Sequence, residues 1–396
     1  MIYLDNAATG GHKPQYVINA VNFALKSMSA NPGRSGHKLS VSASELVYKT
    51  RKKTADFFGA DGAEQVVFTL NCTQGLNFVI KGILKKGDHV VVSNLEHNAV
   101  MRPLVKTGVS FDVFKVFSDD NKTISDFESK LKINTRLVIV TAASNVTGQI
   151  LPFAEIARIC EKRGILFCLD AAQAAGILPI NMQQMCIDYL CVAPHKSLYA
   201  PMGLGILICR KPVENTVIEG GTGSSSLEFL QPHNLPEMLE SGTVNLPAIV
   251  GLSAGIDFVN KVGITQIYKK EMRLLKMLYE GLSSCPKIII YTEHPTLHKY
   301  APLMPFNVKG MSSEDAAAYF DKYGIAFRAG LHCAPTAHKT LNTTDIGALR
   351  ASFSVFNNED EVKRVREAPL LYRRYPMPTE KASHRPADRL SGLLHL

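Results

Sequence analysis

Asp170 and Lys196 are the two residues whose types and placement speak first of chemistry. Asp170 ends the apolar run Ile165–Asp170, and Lys196 follows the apolar run Tyr189–Ala193. Open α/β sheets place their ligand sites beyond the carboxyl ends of strands, so the carboxylate and the amine are expected at one edge. Pyridoxal 5′-phosphate (PLP) chemistry needs both. An amine condenses with the cofactor's aldehyde, and a carboxylate keeps the pyridine nitrogen protonated so that the ring accepts electrons. Gln173 and His195 stand beside the pair.

Other positions gain meaning from that pair. Val67-Phe-Thr-Leu-Asn71-Cys-Thr73-Gln-Gly-Leu passes from strand to helix, offering free N–H groups and the Thr73 hydroxyl to an anion such as a phosphate. His97, in Glu96-His97-Asn98, could stack on a ring and shuttle protons near neutral pH. Asn145, in Ser144-Asn145-Val-Thr-Gly148, is placed to donate to a ring oxygen or to a substrate carboxylate. Arg328-Ala-Gly-Leu-His332-Cys333-Ala-Pro335 sets a cysteine beside a histidine and near an arginine, a setting that favours a nucleophilic thiolate. Arg350 could grip an amino-acid carboxylate with its planar fork. Each of these alone is more simply a helix cap, a turn or a surface residue; the Asp170/Lys196 pair joins them.

The elements that must position these residues follow from hydrophobic periodicity. Short apolar runs predict strands at Val66–Thr69, His89–Ser93, Phe111–Val116, Leu137–Ala142, Ile165–Asp170, Tyr189–Ala193 and Gly205–Cys209. Gln74–Leu84, Asn98–Lys106 and Phe153–Arg163 read as helices between them, which predicts a mainly parallel seven-stranded sheet in an α/β domain. Asn215–Asn245, rich in Gly, Ser, Thr and Pro, is too irregular for a core element. Helical stretches at Pro247–Lys261 and Ile264–Leu282 lead into Ile288–Tyr291, Phe306–Val308, Glu314–Tyr323 and Leu349–Ser352, a smaller α+β domain. Asn358–Arg366 starts a last helix. Pro369, Pro376, Pro378 and Pro386 stop it near Ala368.

The 396 residues are 46% hydrophobic and 20% charged, as in an ordinary globular protein. They exceed what one small core accommodates. No apolar run has the length of a membrane span. No basic region with an apolar stretch precedes the strand-like Ile2-Tyr3-Leu4, so a cytoplasmic protein is expected. The eight cysteines include no C-x-x-C pair, so neither disulfides nor a metal site is expected. Of the net charge of +9, +5 lies between Lys363 and Leu396, which leaves +4 for the long body and argues against nucleic acid as a partner.

Taken together, these residues resemble the cysteine desulfurase family of fold-type I, class V PLP enzymes. The resemblance runs from Tyr3-Leu-Asp-Asn-Ala-Ala-Thr9 to about Val365. It includes Glu96-His97, Asn145-x-x-Gly148, Asp170-x-x-Gln173, His195-Lys196, Glu240-Ser-Gly-Thr-Val-Asn245, Arg328-x-Gly-x-His-Cys333 and Arg350-Ala-Ser352. It implies a large PLP-binding domain over 15–259 and a small domain over 1–14 and 260–365; the prolines and charge of 366–396 predict an atypical, poorly ordered basic tail there. Lys196 would hold the cofactor and carry the substrate proton. Asp170 would face the pyridine nitrogen, Gln173 the ring hydroxyl and His97 the ring face. Thr73 and His195 would hold phosphate, with Cys72 and Asn145 also at the cofactor. Thr222, in Gly220-Gly-Thr-Gly223, would reach the phosphate of a neighbouring subunit, which implies a homodimer. Arg350, Asn145 and Arg328 would bind substrate.

The implied reaction converts L-cysteine to L-alanine, with sulfur passing to Cys333 as a persulfide and then to an acceptor protein. L-Selenocysteine is the alternative substrate, and another lyase or aminotransferase of the same scaffold is the alternative enzyme. A PLP-fold partner protein without activity is the non-enzymatic reading. The chain departs from the family pattern at Ala193, where Ser or Thr is common, at Leu331, where His is common, and at Cys72, usually a small or hydroxyl residue. After Arg366 the tail does not resemble the family's closing helix.

Overall fold

Strands that are apolar along their whole length must be covered on both faces. The computed structural model, which describes residues 1–33, 35–223 and 226–368, meets that demand with helices on both sides of one central sheet. The chain opens with β1 (Ile2–Tyr3), α1 (Gln15–Ser27) and α2 (Lys38–Phe58). Strand and helix then alternate through β2 (Val66–Thr69), α3 (Cys72–Ile83), β3 (His89–Ser93), α4 (Asn98–Thr107), β4 (Ser110–Phe114) and α5 (Asp120–Ser129). β5 (Thr135–Thr141), α6 (Phe153–Arg163), β6 (Leu166–Asp170), β7 (Tyr189–Val192) and β8 (Gly205–Cys209) follow. α7 (Leu246–Val262) and α8 (Ile264–Ser283) lead to β9 (Ile288–Ile290), β10 (Leu303–Val308), α9 (Ser313–Asp321) and β11 (Ile325–Ala326). α10 (Pro335–Leu341), β12 (Leu349–Ser352) and α11 (Glu359–Arg366) close the described chain.

The central sheet has seven strands in the order β2-β8-β7-β6-β5-β3-β4. All its neighbours pair in parallel except around β8, which runs antiparallel to β2 and β7. Alternate side chains feed two cores. Val90 and Val92 of β3 join Leu76, Val79 and Leu104 of α3 and α4, while Val91 faces the core shared with α6 and α7. β10 lies between β9 and β12 in a separate antiparallel sheet, and β1 pairs in parallel with β11. No single helix among the described residues is long and apolar enough to cross a membrane.

Several expected boundaries move, each for a local reason. The strand expected at Phe111–Val116 ends at Phe114, because the Lys115 N–H bonds the Asp126 carboxylate and the Val116 N–H bonds the Asn94 side chain. α3 begins at Cys72 rather than Gln74, since Asn71 caps it by accepting from the Gln74 N–H at 2.9 Å. Residues 259 and 260 lie within α7, and α7 and α8 meet at 79° at Gly263. α1, α2, α5 and α10 were not among the expected helices. α11 has a complete capping box between Asn358 and Glu361 and packs on α8. The tail expectation lies, from residue 369 onward, outside the described residues.

The irregular segment 215–245 is fastened at one buried point. Glu240 takes both guanidinium nitrogens of Arg51, at 2.7 and 2.8 Å, and also accepts from the Phe68 N–H at 2.5 Å. Both side chains of the ion pair are less than a tenth exposed. Arg51 bonds the Val66 carbonyl as well, so α2, the edge strand β2 and this segment share one anchor. Removing one partner of such a pair would leave an uncompensated buried charge, at a cost of about 3–5 kcal/mol.

Candidate active site

The parallel strands β3, β5, β6 and β7 all end at the same sheet edge, and there the expected residues converge. Cys72 and Thr73 follow β2, His97 follows β3, and Asn145 follows β5. Asp170 ends β6, with Gln173 beyond it, and His195 and Lys196 follow β7. All eight line one cavity of about 240 Å³. The antiparallel β8 contributes its beginning to this edge, since Gly205 pairs with Thr69.

Asp170 is 3% exposed. Its Oδ1 accepts from the Ala172 N–H at 2.9 Å and lies 3.6 Å from the Cys72 thiol, which donates to it. Burial pushes the Cys72 thiol well above its ordinary range, so it stays protonated. Burial also lowers the Lys196 pKa, against the opposing pull of Asp170. No hydrogen bond or ion pair among the described residues holds the Lys196 amine, so its nitrogen is free to react.

The turn carrying Lys196 is clamped by the N-terminal segment. The His195 carbonyl accepts from the Gly10 N–H at 3.1 Å, the Lys13 Nζ at 2.9 Å and the Thr9 hydroxyl at 3.3 Å. On the far side Gly176, at φ +92°, leaves no room for a side chain: a Cβ there would sit 2.3 Å from the Ser197 carbonyl oxygen. Burial takes Lys13 down to about 8 and His195 down to about 4. Neutral His195 lies with Nδ1 3.0 Å from the Thr9 hydroxyl.

The first turn of α3 supplies the anion cradle. Asn71 occupies the cap, and the Cys72 and Thr73 N–H groups have no partner within the helix. With the Thr73 hydroxyl and the positive helix end they suit a phosphate. A free amine, a buried carboxylate and an open helix start within one cavity match the aldehyde, pyridine nitrogen and phosphate of PLP.

His97 caps α4, its Nδ1 accepting from the Ala99 N–H at 3.0 Å. Burial lowers its pKa, so the ring is a neutral imidazole with its proton on Nε2. Beside it Glu96 is wholly buried, accepting from Ser93 at 2.5 Å and from the Thr141 N–H at 2.9 Å through one oxygen. Burial raises its carboxyl to about 8.

Cys333 is exposed, at the rim of the cavity and not in its lining. His332 and Cys333 both have left-handed backbone, at φ 50° and 55°, a conformation that costs non-glycine residues roughly 1–2 kcal/mol each. The turn is held from two sides. The Asn98 N–H donates to the Cys333 carbonyl at 2.7 Å, and Asn145 Nδ2 donates to the His332 carbonyl at 2.7 Å. The strained turn that displays the thiol is therefore pinned to the start of α4 and to a cavity residue.

The other candidate residues are placed as follows. The amide of Asn145, expected to donate to a ligand, is committed through Nδ2 to His332, and its buried Oδ1 has no partner. His332 points inward, 3.1 Å from His338, and burial holds it at about 2, so no imidazolium stands beside the thiol. Arg328 is exposed, and its backbone pairs with that of Arg350. Arg350 is not open to a ligand through its whole fork: Nη1 donates to the Asn145 carbonyl at 2.8 Å and Nη2 to Asp5 at 2.9 Å. Gln173 Nε2 donates to the Ala7 carbonyl at 3.0 Å. Thr222 lies outside this cavity, in a separate cleft with Arg51 and Glu240. Asp5, Thr9 and Lys13 are site residues that sequence reasoning missed, although they belong to the quoted N-terminal motif or lie just after it.

Comparison with known proteins agrees with this geometry. The family model for aminotransferase class-V matches residues 2–365. A probable cysteine desulfurase of Pyrococcus abyssi is 33% identical over 378 residues, covering 92% of each chain. The apo structure of a cysteine desulfurase from Thermococcus onnurineus superposes with a TM-score of 0.84 at 33% identity, over 92% of this chain and 93% of that one. A cysteine desulfurase structure from Escherichia coli gives a TM-score of 0.82 at 26% identity, with coverage of 92% and 93%.

Proposed function

Because the chain belongs to the class-V aminotransferase family, and within it to the cysteine desulfurases, we propose that it is a PLP-dependent enzyme converting L-cysteine to L-alanine, with Cys333 receiving the sulfur. One observation carries this reading. The reactive turn with Cys333 is fastened by Asn98 and Asn145 to the cavity that holds the free Lys196 amine and the buried Asp170 carboxylate.

When bound, PLP supplies an electron sink that weakens the Cα–H and Cβ–S bonds of the amino acid. The residues do the rest. Asp170 would face the ring nitrogen and hold positive charge there. Thr73, the open N–H groups of α3 and His195 would hold the phosphate, and neutral His97 would cover a ring face. Arg350 receives the substrate carboxylate. Lys196 would take the Cα proton, and burial lowers its pKa in the direction that a base requires. The Cys333 thiolate then attacks the substrate sulfur. An S–S bond forms, the Cβ–S bond breaks, and its electron pair stays with the carbon skeleton, which takes a proton at Cβ, regains the Cα proton from Lys196 and leaves as alanine. Cysteine and thiol become alanine and persulfide, so no external oxidant is needed.

An exposed Cys333 suits hand-over of sulfur to an acceptor protein. The segment after Thr222 carries Leu227 and Phe229 almost wholly in solvent, with Leu230 close behind, and its exposed apolar side chains support a homodimer in which Thr222 serves the partner's phosphate. Eight free thiols suit a reducing cytoplasm.

The test is product analysis of PLP-loaded protein given L-cysteine and a reductant. Alanine and sulfide in equal amounts are expected. Pyruvate and ammonia with sulfide would point to a β-eliminating lyase, and a keto acid without sulfide to an aminotransferase. A parallel run with L-selenocysteine sets the substrate preference.

A further inference from the structure

Arg350 lies in β12, 3% exposed, with two of its three guanidinium nitrogens engaged. Nη1 is bound to the Asn145 main chain, Nη2 to Asp5 Oδ1, and the buried Nε–H has no partner. Asp5 is not a loose surface acid. Its backbone bridges to Ser352, two residues beyond Arg350, and its carbonyl accepts from the Ala8 N–H at 3.1 Å and the Tyr3 hydroxyl at 3.2 Å. The Ala7 N–H bonds the Ser352 hydroxyl at 2.9 Å, locking the same turn to the strand that carries the arginine. The carboxylate is therefore held at Arg350 by the fold, with its side chain 16% exposed.

Asp5 balances the charge of Arg350, and Arg328, which pairs with Arg350 through its backbone, adds a second positive charge nearby. The Arg350 guanidinium keeps one open N–H. A ligand carboxylate can take it. It does so against the repulsion of Asp5, whose negative charge already sits on the same guanidinium.

On the reading that Arg350 receives the substrate carboxylate, we propose that Asp5 is a resident counter-charge that competes with the substrate's carboxylate for Arg350 and so sets the enzyme's affinity for amino acids. Asp5 is a positioning residue: it keeps Arg350 in place in the free enzyme and weakens the grip on any carboxylate that arrives. A residue with a purely structural task would do only the first.

The two roles separate in D5N, which keeps an oxygen for Nη2 and removes the charge. Propionate, a bare carboxylate, serves as the probe, both as a competitive inhibitor of holoenzyme turning over L-cysteine and as a stabiliser in thermal unfolding. D5N is expected to lower the propionate inhibition constant and the KM for L-cysteine roughly tenfold, the size of one screened charge interaction at this depth, with kcat changed far less. The rise in unfolding midpoint caused by propionate should grow in step. D5A should also bind propionate more tightly but lose kcat, because Nη2 loses its anchor. Unchanged or weaker propionate binding in D5N overturns the proposal. R350K tests the underlying reading separately. If it leaves propionate inhibition and KM as in the parent, Arg350 is not the carboxylate site and both ideas fall; if it weakens them while D5N has no effect, only the role of Asp5 falls.

Discussion

Glu96 shows how much one buried group can matter next to a reactive site. Its carboxyl ordinarily titrates near 4.5 and is raised to about 8 by burial. Between those values the folded protein binds a proton that the unfolded chain releases, so stability is fully present below about 4.5 and is lost as pH rises toward 8. Glu96→Gln keeps the acceptor used by Ser93 and Thr141 and removes the titration. Urea unfolding should show the parent losing on the order of a few kcal/mol over this range relative to the variant; parallel pH profiles would contradict it. At this scale the sequence was informative wherever a reactive residue ends an apolar run, as Asp170 and Lys196 do. It was silent where a role depends on a distant partner. Asp5 meets Arg350 across 345 positions of chain, and the inward turn of His332 toward His338 has no local signature.

Among elements, the start of α3 depends on a neighbour it cannot specify. A Cβ on Gly205 of β8 would lie 2.2 Å from the Asn71 main-chain carbon and 2.5 Å from its carbonyl oxygen. Asn71 is the cap of α3, so Gly205→Ala must push the anion cradle out of place. A PLP titration should show affinity falling at least roughly tenfold, with a lower unfolding midpoint; unchanged affinity would mean that the cradle does not hold the phosphate. The helix Phe153–Arg163 was legible to its last residue, because its apolar face and the Gly164 that follows are both in the sequence. α2 was not. Its buried row runs Ser40, Ala43, Val47, Thr50, Thr54 and Phe58, helical in spacing but mostly small or hydroxyl-bearing, so no apolar stripe marks it. α1 fails in the opposite way, with Tyr16, Phe23 and Leu25 exposed and only Val17 and Ala24 buried.

In the whole molecule, the first thirteen residues tie the two halves of the site together. Leu4 and Asp5 hold β12 and Arg350, Ala7 holds Gln173, and Gly10 and Lys13 hold the turn before Lys196. The alternation of strands and helices made the α/β class readable, because parallel sheets impose it on any chain. How the smaller sheet docks was not readable, since the bonds that fix it join Leu4 to Ser352 and Asn98 to Cys333, pairs with no common local pattern. That docking matters because it sets a strained, exposed thiol at the rim of the cavity. The central claim is therefore that sulfur reaches Cys333. Mass spectrometry of PLP-loaded protein after L-cysteine without reductant tests it directly, with Cys333→Ala alongside. The account predicts one added sulfur on the peptide containing Cys333, with alanine formed in matching amount, and neither in the variant. Equal alanine from both proteins, with no sulfur on Cys333, would contradict it.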